Sequence, residues 1–138
     1  MALPSPLPSP LAASAMVFAG GGAGAVLRYQ LGRSMTQWLG PAAVSAFPWA
    51  TLAANVLGSL AMGLLAGWLA RFGAGGEHWR LIVGVGLLGG FTTFSAFSLE
   101  LMLLIERGQA GSAVAYAAIS VLAGLTGLYI GLIAMRLA

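Results

Sequence analysis

Four apolar stretches, each long enough to cross a bilayer, run through this chain with almost no charge inside them. They extend from about Leu11 to Leu31, Trp49 to Ala70, Leu81 to Ile105 and Gly111 to Met135. A spanning helix needs about 20 mostly apolar residues, and in lipid a helix satisfies its own backbone N–H and C=O groups. Composition agrees: 59% of the 138 residues are hydrophobic and 7% are charged, where a soluble domain carries about a quarter. Mean hydropathy is +0.95. The expected fold is therefore an all-α integral membrane protein of four transmembrane helices, multi-pass in the inner or plasma membrane.

Pro, Gly and charge punctuate the spans. Gly32 to Pro48 reads as a connection with Gly40-Pro41 and Pro48 as breakers, Arg71 to Arg80 as a glycine-rich loop, and Glu106 to Gln109 as a short turn. Residues 1–10 (MALPSPLPSP) hold four prolines and no Lys or Arg. A signal peptide begins with a basic region, so these residues read as a disordered leader before a single four-helix domain, 11–138. There is no cysteine, hence no disulfide or thiolate site.

The nine charges are six Arg and three Glu. Spread along the chain, the arginines form no nucleic-acid patch. With four spans both termini share a side. One side then holds Arg71, Arg80 and Arg136, the other Arg28, Arg33 and Arg107, and the positive-inside rule gives no orientation. Such a tie fits either a weak topology signal or dual topology, in which copies insert both ways up and pair antiparallel. Gly20/Gly24, Gly63/Gly67, Gly86/Gly90 and Gly127/Gly131 each stand four apart within a span, a spacing that lets helix backbones approach closely.

The third span is the least regular. Gly89-Gly90 followed by Phe91, Thr92 and Thr93 suits a helix interior poorly, so the helix is expected to break near Gly89–Thr93. A break in lipid needs protein or an ion to satisfy the freed groups. Carbonyls at Gly89 to Thr92 are candidates for a cation, as in discontinuous transporter helices. A continuous helix with Thr side chains bonded to their own backbone is the alternative.

Polar side chains inside the spans need partners. Thr51, Asn55 and Ser59 share one helical face, which suits either a polar track or interhelical hydrogen bonds. Phe94 and Phe97 share a face of the third span, Ser95 and Ser98 another; Tyr116 and Ser120 stand four apart in the fourth. Aromatic ring edges carry partial positive charge and, beside hydroxyl and amide donors, can solvate a small anion; the alternatives are plain packing for the phenylalanines and bonds to neighbouring helices for the hydroxyls. Arg28 lies in the first span, where it either snorkels to the interface or faces the interior. Glu100 lies in the third, with ion pairing, hydrogen bonding or an aqueous vestibule as its possible fates. His78 is a solvated loop residue without a metal-ligand partner.

At GGGAGAVLRY (Gly20 to Tyr29), TLAANVLGS (Thr51 to Ser59) and GGFTTFSAFSLE (Gly89 to Glu100) the chain resembles the Fluc (CrcB) family of fluoride channels. The resemblance implies an antiparallel, dual-topology homodimer with two fluoride pathways at its interface. By it, Phe94, Phe97 and Asn55 are pore residues, and Thr51, Ser95, Tyr116 and Ser120 are polar pore positions. Arg28 and Glu100 match vestibule and pore charges. The carbonyls of Gly89 and Thr92 match those holding a central structural sodium ion. Ala53-Ala54 replaces a bulkier pair usual before the asparagine, and Gly124 stands where a hydroxyl would continue the fourth-helix track.

The expected function is passive export of fluoride, with dipoles rather than a full positive charge replacing the ion's water. The first alternative is a four-span, proton-coupled multidrug transporter. It needs a membrane carboxylate, normally early in the chain, yet no acid precedes Glu77 and Glu100 is the sole candidate. A non-conducting assembly subunit is the second. An enzyme is not expected, since the chain has no Cys, no Asp and one His.

Overall fold

A computed structural model describes residues 7–73 and 76–138. Among them, four helical rods are long and apolar enough to cross a membrane: Pro10–Leu39, Trp49–Phe72, Gly76–Glu106 and Ala110–Leu137. The protein is thus all-α and multi-pass. Residues 1–6 of the expected leader lie outside the described residues; Ser9 caps the first helix, accepting from the Ala12 N–H at 3.2 Å, and Pro10 opens it.

Helix α1 (Pro10–Leu39) runs eight residues past the end expected at Leu31. Gly32 to Leu39 is therefore helix rather than connection. Gly32 alone costs a helix about 1 kcal/mol, too little to stop it, whereas Gly40 at φ 82 followed by Pro41 ends it. A short helix α2 (Pro41–Ala46) follows, and Pro48 precedes α3 (Trp49–Phe72). The third rod is composite: α4 (Gly76–Trp79), a π-helical segment (Arg80–Leu88), α5 (Gly89–Phe91), an extended Thr92-Thr93, and α6 (Phe94–Glu106). His78, expected in a loop, lies in α4. A turn at Arg107–Gln109 leads to α7 (Ala110–Leu137).

Two glycine seams hold the rods together. Helix α1 packs along the π segment and α5, and α3 along α7. In the first seam a methyl at Gly20 would strike the Ile82 carbonyl, at Gly24 the Leu87 carbonyl, and at Gly90 the Gly21 carbonyl. In the second, Gly63 abuts the Leu128 carbonyl and Gly131 the Leu60 carbonyl. Without hydrophobic drive between helices in lipid, this backbone contact supplies the packing energy. The glycine spacing was thus a correct guide to which faces meet.

Little is buried apart from the seams. Leu104, Ala113 and Tyr116 form a small core, packed by Phe47, Leu52, Phe97 and Leu101. Most other large apolar side chains face outward, where lipid or another subunit covers them.

Candidate functional site

The break in the third rod lies two residues beyond the paired glycines. Gly89 is helical at φ −63, ψ −37, whereas Thr92 (ψ 157) and Thr93 (φ −154, ψ 126) are extended. Adjacent glycines tolerate helix here because α1 packs against Gly90. The unwinding falls on the β-branched pair: the Thr93 hydroxyl replaces a lost backbone acceptor, while Thr92 Oγ1 donates back to the Leu88 carbonyl at 2.8 Å.

Several groups freed by the break find new partners. In an unbroken helix the Thr93 N–H would donate to the Gly89 carbonyl; here it donates to Asn55 Oδ1 at 2.8 Å. The Ala96 N–H, the helical partner of the Thr92 carbonyl, donates instead to Thr93 Oγ1 at 3.2 Å. The Gly90 carbonyl accepts from Arg28 Nε at 3.3 Å. Asn55 Nδ2 donates to the Thr93 carbonyl at 3.1 Å, so one amide side chain clamps both polar groups of one extended residue. Side-chain capture thereby removes the i+4 donors of the Gly89 and Thr92 carbonyls, leaving two hard oxygens of the kind a small cation takes.

A second cluster lies one and two helical turns away. Glu100 accepts hydrogen bonds from Thr51 Oγ1 and from the Tyr116 hydroxyl, both at 2.7 Å. Thr51 and Tyr116 are buried. Of the fates open to Glu100, hydrogen bonding is realised, and the residue also lines an open cavity of about 800 Å³ with Arg28, Arg33, Thr36, Gln37 and Thr51. Arg28 points inward to the break rather than snorkelling outward.

Phe97 stacks against Tyr116, with centroids 5.1 Å apart, and against Phe94 at 5.7 Å. Phe94 is 79% exposed on the single chain. With Asn55, Ser59, Thr92 and Thr93 it lines another cavity, of about 290 Å³. The face of α3 carrying Thr51, Asn55 and Ser59 is thus shared between two cavities, Thr51 lining the first and Asn55 and Ser59 the second. Ser120 Oγ is buried and has no hydrogen-bond partner.

Not every expected residue joins this arrangement. Ser95 is exposed, its Oγ 3.3 Å from Thr93 Oγ1, and Ser98 donates to the Phe94 carbonyl at 2.9 Å. Thr93 is the residue that sequence reasoning passed over. Its signal was a Thr immediately before a resumed helical pattern, an N-cap signature. Arg107 was likewise unassigned; its Nη1 donates to the Ser45 carbonyl at 2.9 Å, tying α2 to the α6–α7 turn.

Comparison with known proteins gives a consistent result. The family model described as CrcB-like protein, Camphor Resistance (CrcB), matches residues 15–132. The "Fluoride-specific ion channel FluC" of Novosphingobium aromaticivorans is 63% identical over 126 residues, covering 91% of this chain and 98% of that protein. The protein of the same name from Erythrobacter litoralis is 56% identical over 129 residues, covering 93% and 95%. That from Phenylobacterium zucineum is 56% identical over 122 residues, covering 88% and 93%. With the family model spanning most of the chain and these relatives matched along nearly their whole length, the chain belongs to the CrcB family.

Proposed function

We propose that this protein is a fluoride-selective channel of the inner or plasma membrane, releasing fluoride from the cytoplasm down its electrochemical gradient. The observation that carries this reading is a run of contacts: Asn55 and Phe94 line one cavity, Phe94 stacks on Phe97 and Phe97 on Tyr116, and the Tyr116 hydroxyl reaches Glu100, which lines a second cavity with Arg28 and Arg33. The relatives named as fluoride-specific channels support the choice of ion. No bond is made or broken, so the protein acts as a conduit rather than an enzyme.

Fluoride holds its water tightly, and the path has to replace it with donors that also let it go. Asn55 uses one amide hydrogen on Thr93 and keeps a second to offer. The ring edges of Phe94 and Phe97 add partial positive charge. Ser120 supplies a hydroxyl not engaged elsewhere. The Thr51 and Tyr116 hydrogens are held by Glu100, so those groups serve the ion only when that carboxylate releases them. Ser95, adjoining Phe94 on an exposed face, completes the path when a second chain covers it.

The complete assembly in this proposal is an antiparallel, dual-topology homodimer with two pathways at its interface. The balanced arginines and the exposure of Phe94 support it. Structural sodium at the dimer centre would be held by the Gly89 and Thr92 carbonyls of both chains. Its charge would offset the four carbonyl dipoles and tie the two breaks together. The donor set fits: oxygens only, stripped of their helical partners.

The test is a fluoride electrode reading on proteoliposomes, with chloride as control. Parent protein releases fluoride and retains chloride, while Phe94→Ala and Asn55→Ala slow fluoride by at least about tenfold, the effect of losing roughly 1.4 kcal/mol of ion stabilisation. Phe94 is the cleaner probe, because an exposed ring contributes little to the fold of the chain. Parental rates in both variants would remove these residues from the path. Proton-driven uptake of a cationic drug without fluoride flux would instead establish the transporter alternative.

A further inference from the structure

At the end of the molecule remote from the Arg28–Glu100 cavity, Leu64, Leu65, Trp68, Trp79, Val83 and Met135 line a groove of about 410 Å³ between α3, the π segment and α7. Trp68 and Trp79 meet edge to face, with centroids 6.2 Å apart, and Trp79 is 54% exposed. Both tryptophans sit near the ends of their rods, at the depth where indole rings favour the headgroup boundary. The groove walls offer hydrocarbon, and Arg71 bonds to the backbone of one of its lining residues.

The charge beside the groove is unbalanced. Among the described residues the one ion pair is Glu77–Arg80, which neutralises Arg80. Arg71 adjoins the groove through Met135: its Nη1 donates to the carbonyl of that groove residue at 3.3 Å, and its Cζ stands 5.3 Å from the Phe72 ring centroid. A guanidinium has five N–H donors, so Arg71 keeps donors to give. Arg136 adds a second cation in the last turn of α7.

We infer that this groove holds one acyl chain of an anionic phospholipid, whose phosphate is taken by Arg71. Basic residues beside a hydrocarbon-lined crevice between transmembrane helices select anionic headgroups over zwitterionic ones. The planar guanidinium suits phosphate oxygens in pairs. A zwitterionic lipid would fill the same crevice but bring no net charge to Arg71.

Native mass spectrometry of the purified protein, with phosphatidylglycerol or phosphatidylcholine of identical chains added, reads this directly. Phosphatidylglycerol should be retained preferentially. Arg71→Gln should lower its retention by roughly fivefold, the factor expected for one cation at a membrane surface. Leu64→Trp, which fills the groove, should abolish it, and Arg33→Gln, at the opposite end, should leave it unchanged. Equal retention of both lipids, undiminished adducts in Arg71→Gln, or no adduct because a second copy covers the groove would each overturn the proposal.

Discussion

Asn55 shows how a single polar side chain makes a broken transmembrane helix tolerable. Its amide group accepts from Thr93 N and donates to Thr93 O, over 2.8 and 3.1 Å. Without it both backbone groups would lie in a low-dielectric interior unpaired, at about 1–3 kcal/mol each. Asn55→Ala should therefore lower the unfolding midpoint in detergent as well as slow fluoride, whereas Phe94→Ala should affect flux alone. Thermal unfolding of both purified variants separates the two roles. An Asn55→Ala protein as stable as its parent would show that the clamp does not support the break.

At the scale of elements, the glycine seams decide how the rods pack. Helices α3 and α7 approach until Gly63 and Gly131 meet carbonyls of the opposite helix. Gly63→Ala forces rigid backbone apart, an overpacking change that costs about 1–3 kcal/mol. Gly22 is the internal comparison: it lies in α1 with nothing within 4 Å of an added methyl. Gly22→Ala should stabilise by up to about 1 kcal/mol through helix propensity. Measuring both by denaturant or thermal unfolding tests contact against propensity. Two variants of the same sign would show that the seams are looser than their geometry.

For the whole molecule, the proposed sodium site at the break can be tested through stability. If the Gly89 and Thr92 carbonyls of two chains share an ion, assembly and ion binding are linked. Stability then rises with sodium concentration, by about 1.4 kcal/mol per tenfold once the site is saturating. Light scattering should return twice the 14.0 kDa chain mass, and replacing sodium with a bulky organic cation should lower the unfolding temperature of that dimer. A midpoint indifferent to the cation would remove the ion from the proposal. The larger cavity belongs to this scale too. Arg28 and Arg33 line one wall, Glu100 another, and α2, held by Arg107, lies beside them.

The number of rods, the solvent that surrounds them and the faces they pack were legible in the sequence, because they follow from local periodicity. Apolar runs and four-residue glycine spacing carry that information within a few turns. The region of the break was legible for the same reason. Which residues within Gly89–Thr93 unwind was not: Thr92-Thr93 rather than Gly89-Gly90 does so because Asn55, 38 residues away, takes the Thr93 amide. Glu100 likewise meets its donors, Thr51 and Tyr116, from 49 and 16 residues away. Hydrogen bonds between separate helices depend on how the rods dock, and only the tertiary structure decided them.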